Sequence, residues 1–211
     1  MRFGALGIQD GMNVGVWDRW ATDDKCDCVR EDGILGCGYS GSSLLLQFFV
    51  FSFVGWSWEV LLHVVMDHAF VNRGVMMGPW LPIYGSGGVL ILLVLNRLRR
   101  RPGMLFGAIM LVCGIVEYFT AVFLETFLHA SWWDYSDMMF QIQGRVCLAG
   151  LLLFGAGGCF IVYVAAPWLD GKIEAMPVWV RRTICTLLAG VFVMDMLYSA
   201  IYPNMGAGIT F

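Results

Sequence analysis

The sequence predicts an all-α membrane fold: five transmembrane helices with an outward-facing, Gly/Pro-rich irregular or re-entrant segment. Three observations predict it. First, 59% of the 211 residues are hydrophobic and 14% are charged, whereas a soluble domain carries about 25% charged residues. Second, the apolar residues gather in five runs, most of them near the ~20 residues that cross a bilayer core. Third, the stretch Asn72–Gly88 (N-R-G-V-M-M-G-P-W-L-P-I-Y-G-S-G-G) interrupts the first two runs with two prolines and five glycines. Proline removes a backbone donor and glycine admits shapes that other residues avoid, so little of this stretch is expected to be regular helix. At membrane depth its backbone groups would have to meet protein or trapped water, because lipid offers them no partner.

Residues 1–41 are expected to form a polar cytoplasmic tail, with seven acidic and four basic residues. Their basic start is not followed by a continuous apolar core, so no signal peptide is expected. Residues 11–21 could form a short amphipathic helix, with Val14, Trp17 and Trp20 as an interfacial stripe, or a loosely ordered tail. Cys26, Cys28 and Cys37 match zinc-ligand spacings poorly. The transmembrane domain, residues 42–211, is expected to span at about 42–66, 82–95, 104–128, 146–169 and 183–202. The second span is short unless the Gly/Pro stretch dips into the membrane. Gly103-x3-Gly107 and the small residues Gly150, Gly155, Gly157 and Gly158 suit close helix packing. Cys113, Cys147, Cys159 and Cys185 fall in apolar runs and read as small hydrophobes.

Charge placement predicts the orientation. Eleven of the thirteen Lys and Arg residues lie in the tail (Arg2, Arg19, Lys25, Arg30), between spans two and three (Arg97, Arg99, Arg100, Arg101), or between spans four and five (Lys172, Arg181, Arg182). The positive side stays inside, so the N-terminus is expected inside and the C-terminus outside. Arg73 and Arg145 are the two exceptions, on the outer side. A positive residue there suggests a specific use, most simply an ion pair with a buried carboxylate.

Four acids lie within the apolar runs: Glu59, Glu117, Glu125 and Asp195. A charge at mid-bilayer costs on the order of 3 kcal/mol on insertion scales, so such residues usually face a protein interior or a watered cavity. Glu59, Glu125 and Asp195 fall at similar outward depth, with Glu117 about two turns deeper than Glu125. Together they could line a vestibule for a cation, a proton or a polar head group, with Arg73, Asp134 and Arg145 at its mouth. Asn72 and Tyr84 would hydrogen-bond the loop or the cargo. The competing role is structural: salt bridges such as Glu125 with Arg145, or Glu59 with Arg73, that fix helix register. Trp132, Trp133 and Tyr135 suit the membrane interface.

No G-x4-G-K-[ST], H-E-x-x-H or G-x-S-x-G pattern occurs. His63, His68 and His129 are scattered, although Glu59 and His63 share a helix face and could contribute to a zinc site. No cofactor is expected, and the absence of a broad basic face argues against nucleic acid.

Taken in order, Gly55-Trp56-x-x-Glu59, Asn72-Arg73-Gly74-x3-Gly78-Pro79-x-x-Pro82-Ile83-Tyr84-Gly85, Glu117-Tyr118, Glu125, Trp132-Trp133-Asp134-Tyr135-Ser136 and Gly144-Arg145 resemble one family. It is the CmpB-like group of bacterial ABC-transporter type IV permeases. The resemblance covers about residues 45–170. Asparagine is expected where this chain has Gln141, and cysteine where it has Leu81. The resemblance implies a transporter or permease subunit of the bacterial inner membrane, served by a separate ATPase subunit. A homo-oligomer would suit so small a membrane domain. Two other classes stay open: an intramembrane enzyme acting on a lipid or isoprenoid substrate through a glutamate of raised pKa, and a structural or assembly partner.

Overall fold

The computed structural model describes residues 38–66, 68, 70, 72, 74–129, 131 and 133–204. The expected amphipathic helix at 11–21, the three tail cysteines, Arg73 and Trp132 lie outside the described residues.

Helix α1, Gly41–Met66, is the first apolar run. Ser40 caps it, its Oγ accepting the Ser43 N–H at 3.2 Å, which satisfies one of the amides that a helix start leaves unbonded. Helix α2 is Pro82–Leu95, extended by a 3-10 turn at Asn96–Leu98. Proline at its first position needs no amide hydrogen and is preset in φ. The helix therefore runs through Tyr84, Gly85 and Gly88, and only the first part of the Gly/Pro stretch, up to Leu81, is non-helical. That corrects the expectation that little of Asn72–Gly88 would be helix. Helix α3, Pro102–Phe123, opens in the same way and continues into a π-helical turn, Leu124–Leu128.

A small antiparallel ribbon follows, β1 (Gln141–Ile142) with β2 (Val146–Cys147), pairing Gln141 with Cys147 and Ile142 with Val146. The all-α expectation did not include it. Cys147 then caps helix α4, Leu148–Phe160, accepting the Gly150 N–H at Sγ. A π-helical turn at Ile161–Ala165 leads without a break into α5, Ala166–Glu174. Pro167 stands just after that turn. Its ring crowds the carbonyl four residues back and it donates no bond, and a π turn is a common relief for such a strain. Helix α6 is Val178–Ile201.

Four of these helical stretches are long and apolar enough to cross a membrane: Gly41–Val65, Pro102–Phe127, Leu148–Glu174 and Val178–Ile201. The helix Pro82–Leu98 is shorter; α2 alone rises about 21 Å, against a hydrocarbon core of about 30 Å. Large apolar side chains point outward around the bundle, with Leu111, Phe119, Leu187 and Met194 all more than half exposed. An apolar surface of this extent suits lipid and not water.

The core lies toward the end of the bundle where α2 meets α3. Leu44 and Phe51 from α1 meet Ile91, Leu92 and Leu95 from α2, Leu105 and Ile109 from α3, and Val162 and Ala166. Gly155 and Gly158 let α4 approach closely: a Cβ on Gly155 would lie 2.7 Å from the Phe106 ring, and one on Gly158 2.7 Å from Ile109. Gly103, Gly107 and Gly157 behave otherwise. A Cβ on any of them meets nothing within 4 Å, so the Gly103-x3-Gly107 pair does not bring helices of this chain together as expected.

The same end of the bundle holds a polar clamp. Ser43 Oγ donates to Asp170 Oδ1 at 2.5 Å and accepts from Gln47 Nε2 at 3.1 Å. Ser40 Oγ donates to Glu174 Oε1 at 2.7 Å, and Arg181 pairs with Glu174 at 2.7 Å. Two carboxylates thus face the N-terminus of α1, where a helix dipole favours negative charge. The opposite end of the bundle carries the long loops and the candidate site.

Candidate functional site

The segment Asn72–Leu81 descends along α1. The Leu81 N–H donates to the Ser52 carbonyl at 3.0 Å, and Ser52 lies about four turns, or ~21 Å, before the end of α1. Its backbone groups find side-chain partners, as they must away from water. Asp195 Oδ2 accepts the Gly78 N–H at 3.0 Å and the Trp80 indole N–H at 2.7 Å. One turn on, Ser199 Oγ accepts the Met77 N–H at 3.2 Å. Asn204 Nδ2 donates to the carbonyls of Asn72 and Gly74 at 2.8 and 3.0 Å. From the other flank, Trp56 Nε1 donates to Asn72 Oδ1 at 2.7 Å, and Asn72 Nδ2 donates to the Met77 carbonyl at 3.1 Å. Asp195 and Asn72, both singled out in the sequence, therefore hold this segment in place.

The loop from Ser131 to Arg145 is folded around its own polar groups. Asp134 Oδ1 accepts from the Ser136 hydroxyl at 2.5 Å and the Ser136 N–H at 2.9 Å. These bonds, the hydroxyl's first, hold the exposed Asp134 carboxyl below its ordinary range. Gly144 takes a φ of +69°, which favours glycine. A Cβ there would also lie 2.7 Å from Asp134 Oδ1. Gln141 Oε1 accepts the Gly144 N–H at 2.6 Å, so the residue found where asparagine was expected closes this turn. Arg145 reaches back to the π turn of α3. Its Nη2 lies 2.6 Å from Glu125 Oε2, and its Nε lies 3.2 and 3.1 Å from the two Glu125 oxygens. Its guanidinium carbon sits 5.5 Å above the Tyr118 ring, and it also bonds Gln143. Glu125 with Arg145 is thus the ion pair that the sequence offered as the structural alternative.

Between these two loops lie the remaining acids. Gly55 leaves a slot on α1 for the Tyr84 ring, since a Cβ there would stand 2.6 Å from Tyr84 Cβ. Seated in that slot, Tyr84 of α2 donates its hydroxyl to Glu59 Oε1 at 2.5 Å. Glu117 of α3 is 7% exposed, and its Oε1 accepts the Tyr135 hydroxyl at 3.3 Å. Its Oε2 is buried without a hydrogen-bond partner. Burial first, and then the nearby Glu117, Cys147 and Glu59, push the Tyr135 phenol above its ordinary range. Each carboxyl thus has its own tyrosine, and Tyr135 feels both Glu117 and Glu59. His63 lies one turn beyond Glu59, with its Nδ1 2.9 Å from the Glu59 carbonyl oxygen. Among the described residues no three His, Cys, Asp or Glu side chains converge as metal ligands.

The family model described as "Putative ABC-transporter type IV" matches residues 46–200. The chain belongs to that family. No curated protein and no solved structure matches it. The match takes in α1 through α6 almost entirely, so Asp195 falls inside the ABC-transporter type IV domain, beyond the stretch where the sequence resemblance was drawn.

The sequence reading missed several working residues of this domain. Ser199 and Asn204 carry the Asn72–Leu81 segment with Asp195, yet isolated Ser and Asn near a helix end give no sequence signal. Ser43, Gln47, Asp170 and Glu174 form the clamp at the far end. Here a signal existed: Ser43 and Gln47 stand four apart in an apolar run, and so on one helix face.

The Asp134 geometry fixes a pH dependence. A carboxyl whose folded value is lowered contributes stability above its unfolded value and loses it as pH falls through the folded one. Exchange of the Ser136 amide, corrected for intrinsic rate, is therefore expected to quicken only below about pH 4. Asp134→Asn is expected to exchange faster at neutral pH and to lack the acid step.

Proposed function

We propose that this protein is a transport-type membrane protein, a permease subunit, whose polar site opens outward and binds a cation, a proton or a cationic group. The observation that carries this reading is the pairing of Glu59 with Tyr84 and of Glu117 with Tyr135. Four elements (α1, α2, α3 and the 131–145 loop) each contribute one polar side chain to a place inside an apolar bundle. Burying such groups is costly unless they are partnered or used. Membership of the ABC-transporter type IV family supports transport as the use.

In this reading Glu59 and Glu117 receive the cargo. Asn72, Arg73, Asp134, Arg145, Glu125 and Asp195 shape the mouth. For Glu125 and Asp195 the geometry favours bracing over binding, because each carboxylate is already engaged by an arginine or by two N–H donors. The Asn72–Leu81 segment would be re-entrant, dipping beside α1 so that the short α2 completes a fifth crossing. The Lys and Arg asymmetry supports an N-terminus inside and a C-terminus outside in a bacterial inner membrane. Lacking a P-loop, the described chain would draw ATP energy only from a separate subunit.

A thermal-shift series on detergent-purified protein tests the reading. A cation or amine that binds the folded state at about 100 times its Kd adds about 2.7 kcal/mol of apparent stability. The wild type is expected to show that upward shift and Glu59→Gln to lose it while still folding. A ligand shift of equal size in both proteins would remove Glu59 from the site.

A further inference from the structure

We propose that Glu117 is the proton-carrying group of the loop-end site, resting as the neutral carboxylic acid and releasing its proton when a cation enters. The inference rests on reading the Glu59 and Glu117 carboxyls as a binding site. It adds that the cargo cation is exchanged for a proton.

The surroundings of Glu117 carry the argument. An ionised carboxylate offers about four lone-pair sites and demands donors for them. Glu117 has one, the Tyr135 hydroxyl at 3.3 Å, at the long end for an O–H donor. Its second oxygen is buried and meets no donor among the described residues. Glu125, by contrast, lies two turns along the same helix and takes three bonds from Arg145. Among the described residues, the titratable groups near Glu117 are neutral or acidic in kind. Cys113 stands one turn back on α3 and Tyr84 comes from α2. Tyr135 comes from the 131–145 loop, and Glu59 of α1 is bonded to Tyr84 and close enough to act on Tyr135. No described Lys, Arg or His pairs with Glu117. An unpaired ion in such a place gives up its charge by taking a proton.

Exchange then follows simple bookkeeping of atoms. The O–H bond of the Glu117 carboxyl breaks and its proton passes to a water molecule at the open mouth. The carboxylate left behind pairs with the entering cation, with the Tyr84 and Tyr135 oxygens and Glu59 close by. Hard cations prefer such oxygen donors.

Dicyclohexylcarbodiimide tests this directly, because it adds to protonated carboxyls in apolar surroundings. The full chain in detergent is treated at neutral pH and its peptides are read by mass spectrometry. The adduct is expected on Glu117 at about ten times the level on Glu125, falling about five-fold or more as pH rises from about 6 to about 9. Glu117→Gln should lose it, and Glu117→Asp, which keeps an acid, should retain some. A Glu117 peptide that stays unlabelled throughout, or labelling that does not respond to pH, would overturn the proposal. Labelling on Glu117 that no cation diminishes would keep the neutral acid but overturn the exchange. The thermal-shift series reads the binding site itself, so the two failures are separable.

Discussion

Gly85→Ala is expected to destabilise the protein by about 3 kcal/mol, more than any other single methyl group added to α2. A Cβ on Gly85 would lie 2.6 Å from the Phe48 carbonyl oxygen and 2.8 Å from the Phe48 ring, and would overlap the Ser52 hydroxyl. One of those atoms is backbone, so no rotamer change clears it, and α1 and α2 would have to separate. The separation would also pull Tyr84 out of its slot at Gly55 and away from Glu59. The control is two residues away. Gly87 meets nothing within 4 Å, and replacing a helical glycine with alanine is otherwise stabilising by about 0.5–1 kcal/mol. Melting of the two variants in the same detergent is therefore expected to move in opposite directions. Equal effects would mean that α1 and α2 are not in contact at Gly85.

Asp195→Ala is the second large effect. It removes the acceptor of both the Gly78 amide and the Trp80 indole, and it deprives Ser199 of a partner at 3.3 Å. A donor left unsatisfied costs about 1–3 kcal/mol when fully buried; both of these are part-buried, so the lower half of that range for each gives a loss of about 2–4 kcal/mol. Asp195→Asn keeps one acceptor oxygen and is expected to lose about half as much. The readout that separates a local role from a general one is the reactivity of a cysteine placed at Met76, a buried position of the same segment. It should rise sharply in Asp195→Ala and little in a variant about equally destabilised elsewhere, such as Ile109→Ala at a fully buried core position. Unchanged reactivity would release Asp195 from its bracing role and return it to the candidate binding residues.

Much of this protein was legible from composition and periodicity. The apolar runs predicted at 42–66 and 82–95 correspond to helices at Gly41–Met66 and Pro82–Leu95. Long apolar stretches bounded by charge or proline admit few other backbone solutions. The span expected at 104–128 ends with the π turn Leu124–Leu128, whereas the one expected at 146–169 passes through a second π turn, Ile161–Ala165, and runs on to Glu174. Such a turn keeps the apolar character of a run while changing its register. Glu125 sits in one of them, so its face relative to Glu117 is not that of a regular α-helix.

The candidate site was legible as a list of residues and illegible as an arrangement. Its acids stood out because charge in an apolar run is costly wherever it falls. Their division of labour did not. The sequence treated Glu59, Glu117, Glu125 and Asp195 as one set. The folded chain gives Glu125 to Arg145 and Asp195 to the Gly78 and Trp80 donors, and leaves Glu117 with a single tyrosine. Likewise Gly85 read as conformational freedom and Gly55 only as part of a motif, but both act as space, Gly55 for the Tyr84 ring and Gly85 for the approach of α1. The sequence by itself determined the lipid-facing character of the chain, its helices and the expense of its buried charges, because these depend on local composition and spacing. Only the tertiary structure decided which donor reaches which carboxyl. That depends on how helices far apart in the chain dock, and docking is set by the shapes of a few side chains and glycines at their contacts.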